Sequence, residues 1–299
     1  MDDILAPRFI DPVAARKHLE ALRWGTVPEC VHCGSADVTR LEGKKHRDGL
    51  LQCNKCREQF TVTVGTVFER SKIPLNKWLL CNHLLCAGKK GMSAHQIHRM
   101  LGVTYKTAWF MCHRIREAMK DNSGPLGGPG KTVEADEAFI GGAPGKQAYR
   151  GVAPKKVVVS LIERDGKARS FHIANVNANT LRAALVTNVD RGSHLRTDGS
   201  ISYRRVGLEF ASHGYVDHRF EYVRGETHSN TVENFFSILK RGVIGTYHHW
   251  SEAHIHRYLA EFDFRYSTKD ISDRERADKA LVGSFGKRLT YRRTAPLAA

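Results

Sequence analysis

Two C-x2-C turns constrain this chain more than any other feature. They are Cys30/Cys33 and Cys53/Cys56, with nineteen residues between the pairs. One such turn brings two sulfurs together, and a second from another hairpin completes the tetrahedron of thiolates that zinc prefers. Four protein ligands leave no open position, so the spacing predicts one structural Zn²⁺ rather than a catalytic metal. The runs DVTRL, GLLQC and QFTVTV around the turns read as short strands. Residues 26–68 are therefore expected to form a zinc ribbon. All seven cysteines lie at or before position 112. Cys81, Cys86 and Cys112 fall in helical apolar patterns and read as core thiols, a usage that suits a reducing cytosol.

Helices surround the ribbon. Asp11 followed by Pro12 predicts a capped start for a short amphipathic helix, DPVAARKHLEALRW, closing an N-terminal segment 1–25. Residues 72–120 read as helical throughout: PLNKWLLCNHLLCAG, then MSAHQIHRML capped by Ser93, then TYKTAWFMCHRIREAMK capped by Thr104. The turn Leu101-Gly102-Val103 between the last two makes a helix-turn-helix pattern. Its third helix carries Lys106, His113, Arg114 and Arg116, while Ala108, Cys112, Ile115 and Met119 fall on a core stripe. Lys106 and Arg114 are the expected DNA contacts. Lys plus Arg outnumber Asp plus Glu by 47 to 31, a formal charge of +16, which favours a polyanionic partner. No apolar run approaches a membrane span, and MDDILAPRFIDP lacks a signal-peptide core. A cytoplasmic protein with no membrane partner is the expectation, associated with the nucleoid when bound to DNA.

The Gly/Pro/Ser-rich stretch 121–131, DNSGPLGGPGK, reads as a linker, and the pattern then changes to strands. TVEADEAFIGG is one strand, and KKVVVSLIERDGKARSFHIANV is a hairpin turning at Asp165-Gly166. TLRAALVTNV reads as a helix, HLRTDGS as a strand and loop, and FEYV as a further strand. This mixed region is expected to run from 132 to 275, followed by a loose basic tail at 276–299. On the first strand Glu134 and Asp136 share one face, with Val133, Ala135, Glu137 and Phe139 on the other. Acidic residues in mid-strand are unfavourable unless paired or bound to a cation.

HSNTVENFFSILKRGVIGTYHHWS holds a second acidic candidate. Val232, Phe235, Phe236, Leu239 and Val243 recur at three- and four-residue steps and mark a buried helical stripe. Glu233 and Lys240 lie beside that stripe, nearly two turns and about 10 Å apart. They are too far apart for a salt bridge, so helix stabilisation by their pairing is a poor explanation.

VEADEAFIGG, the RTDGS…Y segment and HSNTVENFFSILKRGVIGTYHHWS together resemble the three blocks of a DDE transposase, specifically the insertion-sequence 1595 family. The likeness runs from RKHLEALRW to FDFRYS. It implies a multi-domain α+β and α/β chain: a zinc ribbon and helix-turn-helix region, then a ribonuclease H-like mixed-sheet catalytic domain. It also implies a catalytic triad of Asp136, Asp198 and Glu233, holding two Mg²⁺ or Mn²⁺ ions. Lys240 and Arg241 would lie on DNA. His228 is assigned to DNA, with helix capping as the alternative. The implied activity is cleavage of transposon ends to a 3′-hydroxyl and joining to target DNA by two-metal phosphoryl transfer. The implied partner is double-stranded DNA, bound by a homodimer or larger assembly. Two other readings fit parts of the chain. A zinc-ribbon, helix-turn-helix regulator explains the charge but not the acids, and a metal-dependent nuclease cuts without joining.

Overall fold

The computed structural model describes residues 4–141, 155–221 and 223–290. Helix α1 (Pro7–Ile10) is a single turn that ends at Asp11. The Asp11 carboxylate then accepts from the Val13 and Ala14 amides, both at 3.0 Å, and starts α2 (Pro12–Trp24). Strands β1 (Val38–Arg40), β2 (Leu51–Cys53) and β3 (Gln59–Phe60) form an antiparallel ribbon in the order β1-β2-β3. The ligand atoms of Cys30, Cys33, Cys53 and Cys56 all lie within 4.8 Å of one another, with Cys30–Cys56 and Cys33–Cys53 sulfurs 3.6 Å apart. A tetrahedron with Zn–S bonds of about 2.3 Å has edges of about 3.8 Å, so the sulfurs already stand at zinc-binding separations. Phe60, fully buried, meets the Trp24 ring edge-on beneath them.

Three helices follow: α3 (Leu75–Ala87), α4 (Ala94–Leu101) and α5 (Tyr105–Ala118). Ser93 and Thr104 cap α4 and α5 through the Gln96 and Thr107 amides, each at 3.2 Å. Gly102 turns between them at φ 60°, a left-handed conformation that costs glycine nothing. Helix α5 is buried on more than one side: Met111, Cys112, His113, Arg114, Ile115 and Arg116 are all buried.

The second unit, Asp121–Lys269, is built on a five-stranded sheet. Its elements are β4 (Thr132–Ile140), β5 (Lys156–Glu163), β6 (Ala168–Ile173), α6 (Ala178–Asn188), β7 (His194–Asp198), α7 (Ile201–Gly207), β8 (Ser212–Val216), α8 (Asn230–Gly242) and α9 (Ile255–Ser267). A π-helical turn, Val243–Tyr247, extends α8. The strand order is β6-β5-β4-β7-β8; β4, β5 and β6 are antiparallel, and β7 and β8 run parallel to β4. An antiparallel meander joined at its first strand to parallel strands is the ribonuclease H-like arrangement. Alternation along β4 sends Ala138 and Ile140 to one face, where they pack with Val232, Phe235, Phe236 and Leu239 of α8. Val133 and Ala135 face the other way, toward Leu181, Leu185 and Tyr203 of α6 and α7.

Three local expectations are corrected. The fifth strand is Ser212–Val216, not FEYV, whose described residues 220, 221 and 223 have no strand structure. Gly214 makes this edge strand possible, since a Cβ there would lie 2.7 Å from Thr227 Oγ1. The stretch 121–131 is not free chain: Leu126 is buried and exchanges backbone hydrogen bonds with Asn188 and Asp190 at 2.8 Å. Finally, the region expected as a loose tail begins with α10 (Asp273–Val282), started by a Ser272/Glu275 capping box. Helix α10 packs on α3, and Asn82 Nδ2 donates to the Ala277 carbonyl at 2.8 Å, so α10 belongs to the unit Met1–Lys120 with Asp270–Arg293.

Loss of one sulfur should dismantle the ribbon, because three short strands bury too little apolar surface to stand alone. Cys53→Ser is expected to lower bound zinc from one per chain toward zero, measured by metal analysis after dialysis. Unchanged stoichiometry would rule out this zinc site.

Candidate active site

Strand β4 carries three carboxylates, Glu134, Asp136 and Glu137, in three different settings. Asp136 sits on the α8 face and accepts from the Glu137 amide at 2.7 Å. Burial pushes it up to about 8, against that hydrogen bond and with the negative charges of Asp198, Glu137 and Glu233 raising it further. Of the three residues expected as a triad, Asp136 is thus close enough to both Asp198 and Glu233 to feel their charge. Parallel pairing explains the first two: Ala135 stands beside Thr197, which places Asp136 and Asp198 at adjacent positions of β4 and β7. Asp198 Oδ1 accepts from the Ser200 amide at 3.0 Å, which orders the turn that follows the strand.

Glu233 enters from α8. Its Oε1 accepts from Ser229 Oγ at 3.0 Å and lies 3.2 Å from His218 Nδ1. His218 follows β8, so it spans from the end of the parallel strands to the helix. A cleft of about 400 Å³ opens here, lined by Asp198, Gly199, Ser200, Asp217, His218 and Arg219. Asp217 is held down at about 2 by hydrogen bonds from Arg219, so its charge is already matched. On the opposite face, Tyr203 donates to Glu137 Oε2 at 2.5 Å. Burial raises Glu137, that bond opposes the shift, and Asp198 adds to it.

Glu134 is fully buried and lies against the first turn of α8. Its Oε2 accepts from the Thr231 and Val232 amides at 2.8 and 3.1 Å, and its Oε1 accepts from Thr231 Oγ1 and Arg164 Nε at 2.8 and 2.7 Å. Arg164, His218 and Glu134 were not singled out as site residues from sequence. Only Glu134 left a signal, as an acid in mid-strand with no evident partner.

The remaining expected residues divide. Lys240 and Arg241 are exposed in the last turn of α8. His228 does not cap α8; its Nδ1 lies 3.4 Å from Glu134 Oε1 and 3.1 Å from Arg164 Nη2, and the cap comes from Glu134. Lys106 is exposed in the first turn of α5. Arg114 is not available to DNA. Its guanidinium packs 5.3 and 5.5 Å from the Trp78 and Phe110 ring centroids and donates to the Glu69 carbonyl at 2.7 Å. Among the described residues, no helix is long and apolar enough to cross a membrane.

A five-stranded ribonuclease H-like sheet preceded by a four-cysteine ribbon is the architecture that the sequence resemblance implies. Residues 125–267 match the ISXO2-like transposase domain and residues 11–59 the transposase zinc-ribbon domain, and the chain belongs to the insertion-sequence 1595 transposase family. It is similar to an uncharacterized protein in transposable element ISH50 of Halobacterium salinarum, 26% identical over 275 residues that cover 86% of this chain and 91% of the relative. Among solved structures it overlaps a chain of the simian T-cell lymphotropic virus intasome in complex with PP2A regulatory subunit B56 gamma. That overlap has a TM-score of 0.27 at 15% identity, covering 63% of each chain, so this chain spans under two thirds of that one. It also overlaps a chain of a pre-cleavage Mos1 transpososome, with a TM-score of 0.26 at 15% identity, covering 67% of this chain and 76% of that one.

The raised Asp136 has a consequence for stability. Its value in the folded chain lies above that of an unfolded carboxylate, so its contribution is complete below about pH 4 and is lost as pH rises through about 8. At full ionisation the loss is at most about 6 kcal/mol, at about 1.4 kcal/mol for each pH unit by which the acid is raised. In chelator, the melting temperature of the wild type should therefore fall more between pH 5 and 8.5 than that of Asp136→Asn. Parallel profiles would show that Asp136 does not titrate in this range.

Proposed function

We propose that Asp136, Asp198 and Glu233 form the active site of a DNA transposase that cleaves transposon ends and joins them to target DNA. The observation that carries this reading is the convergence on one buried acid: strand register sets Asp136 beside Asp198, and the charges of Asp198 and of Glu233 from α8 both bear on it. The donor set is all oxygen, which suits Mg²⁺ or Mn²⁺. Asp136, Asp198 and Glu233 would hold the ions. Such ions supply charge neutralisation for the attacking and leaving oxygens of an in-line phosphoryl transfer.

In the first reaction a water oxygen bonds to phosphorus at the transposon end and the 3′ oxygen leaves, ending as a 3′-hydroxyl beside a 5′-phosphate. In the second, that hydroxyl attacks a phosphorus of target DNA and displaces a target 3′ oxygen. Neither reaction needs a covalent protein–DNA bond. The chain's own part is to orient. Asp136 and Asp198 are fixed by strand pairing, Ser229 and His218 hold the Glu233 carboxylate, and Lys240 and Arg241 lie along phosphates farther down α8. Lys106, exposed at the start of α5, would meet DNA from the helix-turn-helix. Bringing two ends together calls for two or more copies of the chain.

The test uses duplexes carrying the gene's own flanking sequence, with Mg²⁺, Mn²⁺ or chelator. Asp136→Asn, Asp198→Asn and Glu233→Gln should each lower cleavage by about a thousandfold or more, while binding to the duplex stays near wild type. Nicks without joined products would reassign the chain as a nuclease. Binding without cleavage in the wild type would favour a regulator.

A further inference from the structure

Glu134 has no task in the chemistry just described, yet it is the most completely bonded acid near the site. It stands two residues before Asp136 on the same face of β4 and has no exposed surface. An ionised carboxylate offers about four lone-pair sites. Here four donors fill them: the Thr231 amide, the Val232 amide, Thr231 Oγ1 and Arg164 Nε. A carboxylate saturated in this way has nothing left for a metal ion.

Its partners are informative by position. Thr231 and Val232 immediately precede Glu233. The residue at the N-cap, Ser229, makes no side-chain capping bond and turns its hydroxyl to Glu233 instead. The first-turn amides of α8 are therefore met by a strand residue 97 positions away in sequence, not by a local cap. A local serine or aspartate would satisfy the same amides and stabilise the helix. It would not fix where the helix stands on the sheet. Arg164 strengthens the joint by pairing with Glu134 and by donating to the Glu226 and His228 carbonyls at 3.0 and 3.2 Å, which holds the chain that enters α8.

We propose that Glu134 is a positioning residue that sets the placement of Glu233 relative to Asp136, so that both carboxylates can reach one divalent-ion site. This rests on the reading of Asp136 and Glu233 as metal-holding residues. Glu134 works through α8: two amide bonds fix the height and rotation of the first turn, and Glu233 leaves the helix at the next residue.

The test measures Mn²⁺ binding to the full chain by paramagnetic resonance, without DNA and without turnover. Hydrogen exchange of the Thr231 and Val232 amides is followed alongside. Glu134→Gln keeps the shape of the side chain but presents an amide nitrogen to a pocket of donors. It should weaken Mn²⁺ binding by about tenfold or more and speed exchange of both amides. Thr231→Val removes one of the four donors at nearly constant volume, folds without an unpaired charge, and should weaken binding by about threefold, on the scale of one hydrogen bond. Glu233→Gln separates the two ideas. If Glu233→Gln binds Mn²⁺ like the wild type, the metal reading itself is wrong. If Glu233→Gln loses binding while Glu134→Gln and Thr231→Val keep it, the metal reading stands and the positioning role is overturned. Weaker binding in Glu134→Gln with unchanged amide exchange also overturns it, because the effect would not pass through α8. Should Glu134→Gln fail to fold, unchanged binding in Thr231→Val decides against the proposal.

Discussion

Buried negative charge must be paired, capped or neutralised, and the organisation of the second unit follows from how β4 meets that demand. The strand places three acids within four residues, Glu134, Asp136 and Glu137. Glu134 is matched by a helix N-terminus and an arginine. Glu137 is matched by the Tyr203 hydroxyl. Asp136 has the amide of its neighbour and otherwise faces like charges, which is why burial carries it to about 8. Two acids are consumed in holding structure together, and the third is left in electrostatic debt. That contrast singles out Asp136 more sharply than its position in a motif does.

The sheet explains why the raised acid lies beside the end of β7. Strands β4, β7 and β8 run parallel, so the chain leaves β7 and β8 at the same edge. Asp198 and His218 emerge there, and the cleft beside them is lined by the same turns. The antiparallel partners β5 and β6 carry no acid toward that edge. They supply Val158, Ile162 and Ala168 to the core under α8, a foundation against which the helix stripe can close. Helix α8 thus has two anchors of different kinds. Apolar burial holds its length to the sheet without specifying a direction, while charged hydrogen bonds at its first turn are short-ranged and orientation-dependent.

Features governed by near neighbours could be read from sequence. The Asp11, Ser93 and Thr104 caps act over two or three residues, and all three bonds are present. The hairpin at Asp165-Gly166 and the stripe of α8 are likewise local, and both occur. What sequence could not show were contacts between distant segments. The Glu134 cap links residues 97 apart, and α10 joins Asn82 to Ala277 across 195. Arg114 misled for a related reason. A basic residue on an amphipathic helix is normally solvated, but α5 is covered on several sides, and its Arg114 found two aromatic faces and a carbonyl. The edge strand at Ser212–Val216 was hidden because its residues are mostly half-buried and include a glycine, so neither alternation nor β-branching marks it.

The placement of Glu233 and Lys240 on one helix has a bland physical account that must be set beside the functional one. An acid in the first turn and bases in the last turn both complement the helix dipole, so some stabilisation follows without any catalysis. The dipole argument, however, asks only for charge near each end. It does not require Glu233 to be held by Ser229 and His218, nor to raise Asp136 on another element. Those contacts select one rotation of α8 out of the several that would satisfy the dipole. At the other end, Lys240 and Arg241 are exposed and could be served equally well by solvent, so their case depends on α8 leading away from the acids toward a bound strand. The two ends of the helix therefore carry unequal weight: Glu233 is specified by what it touches, and Lys240 by where the helix that bears it begins.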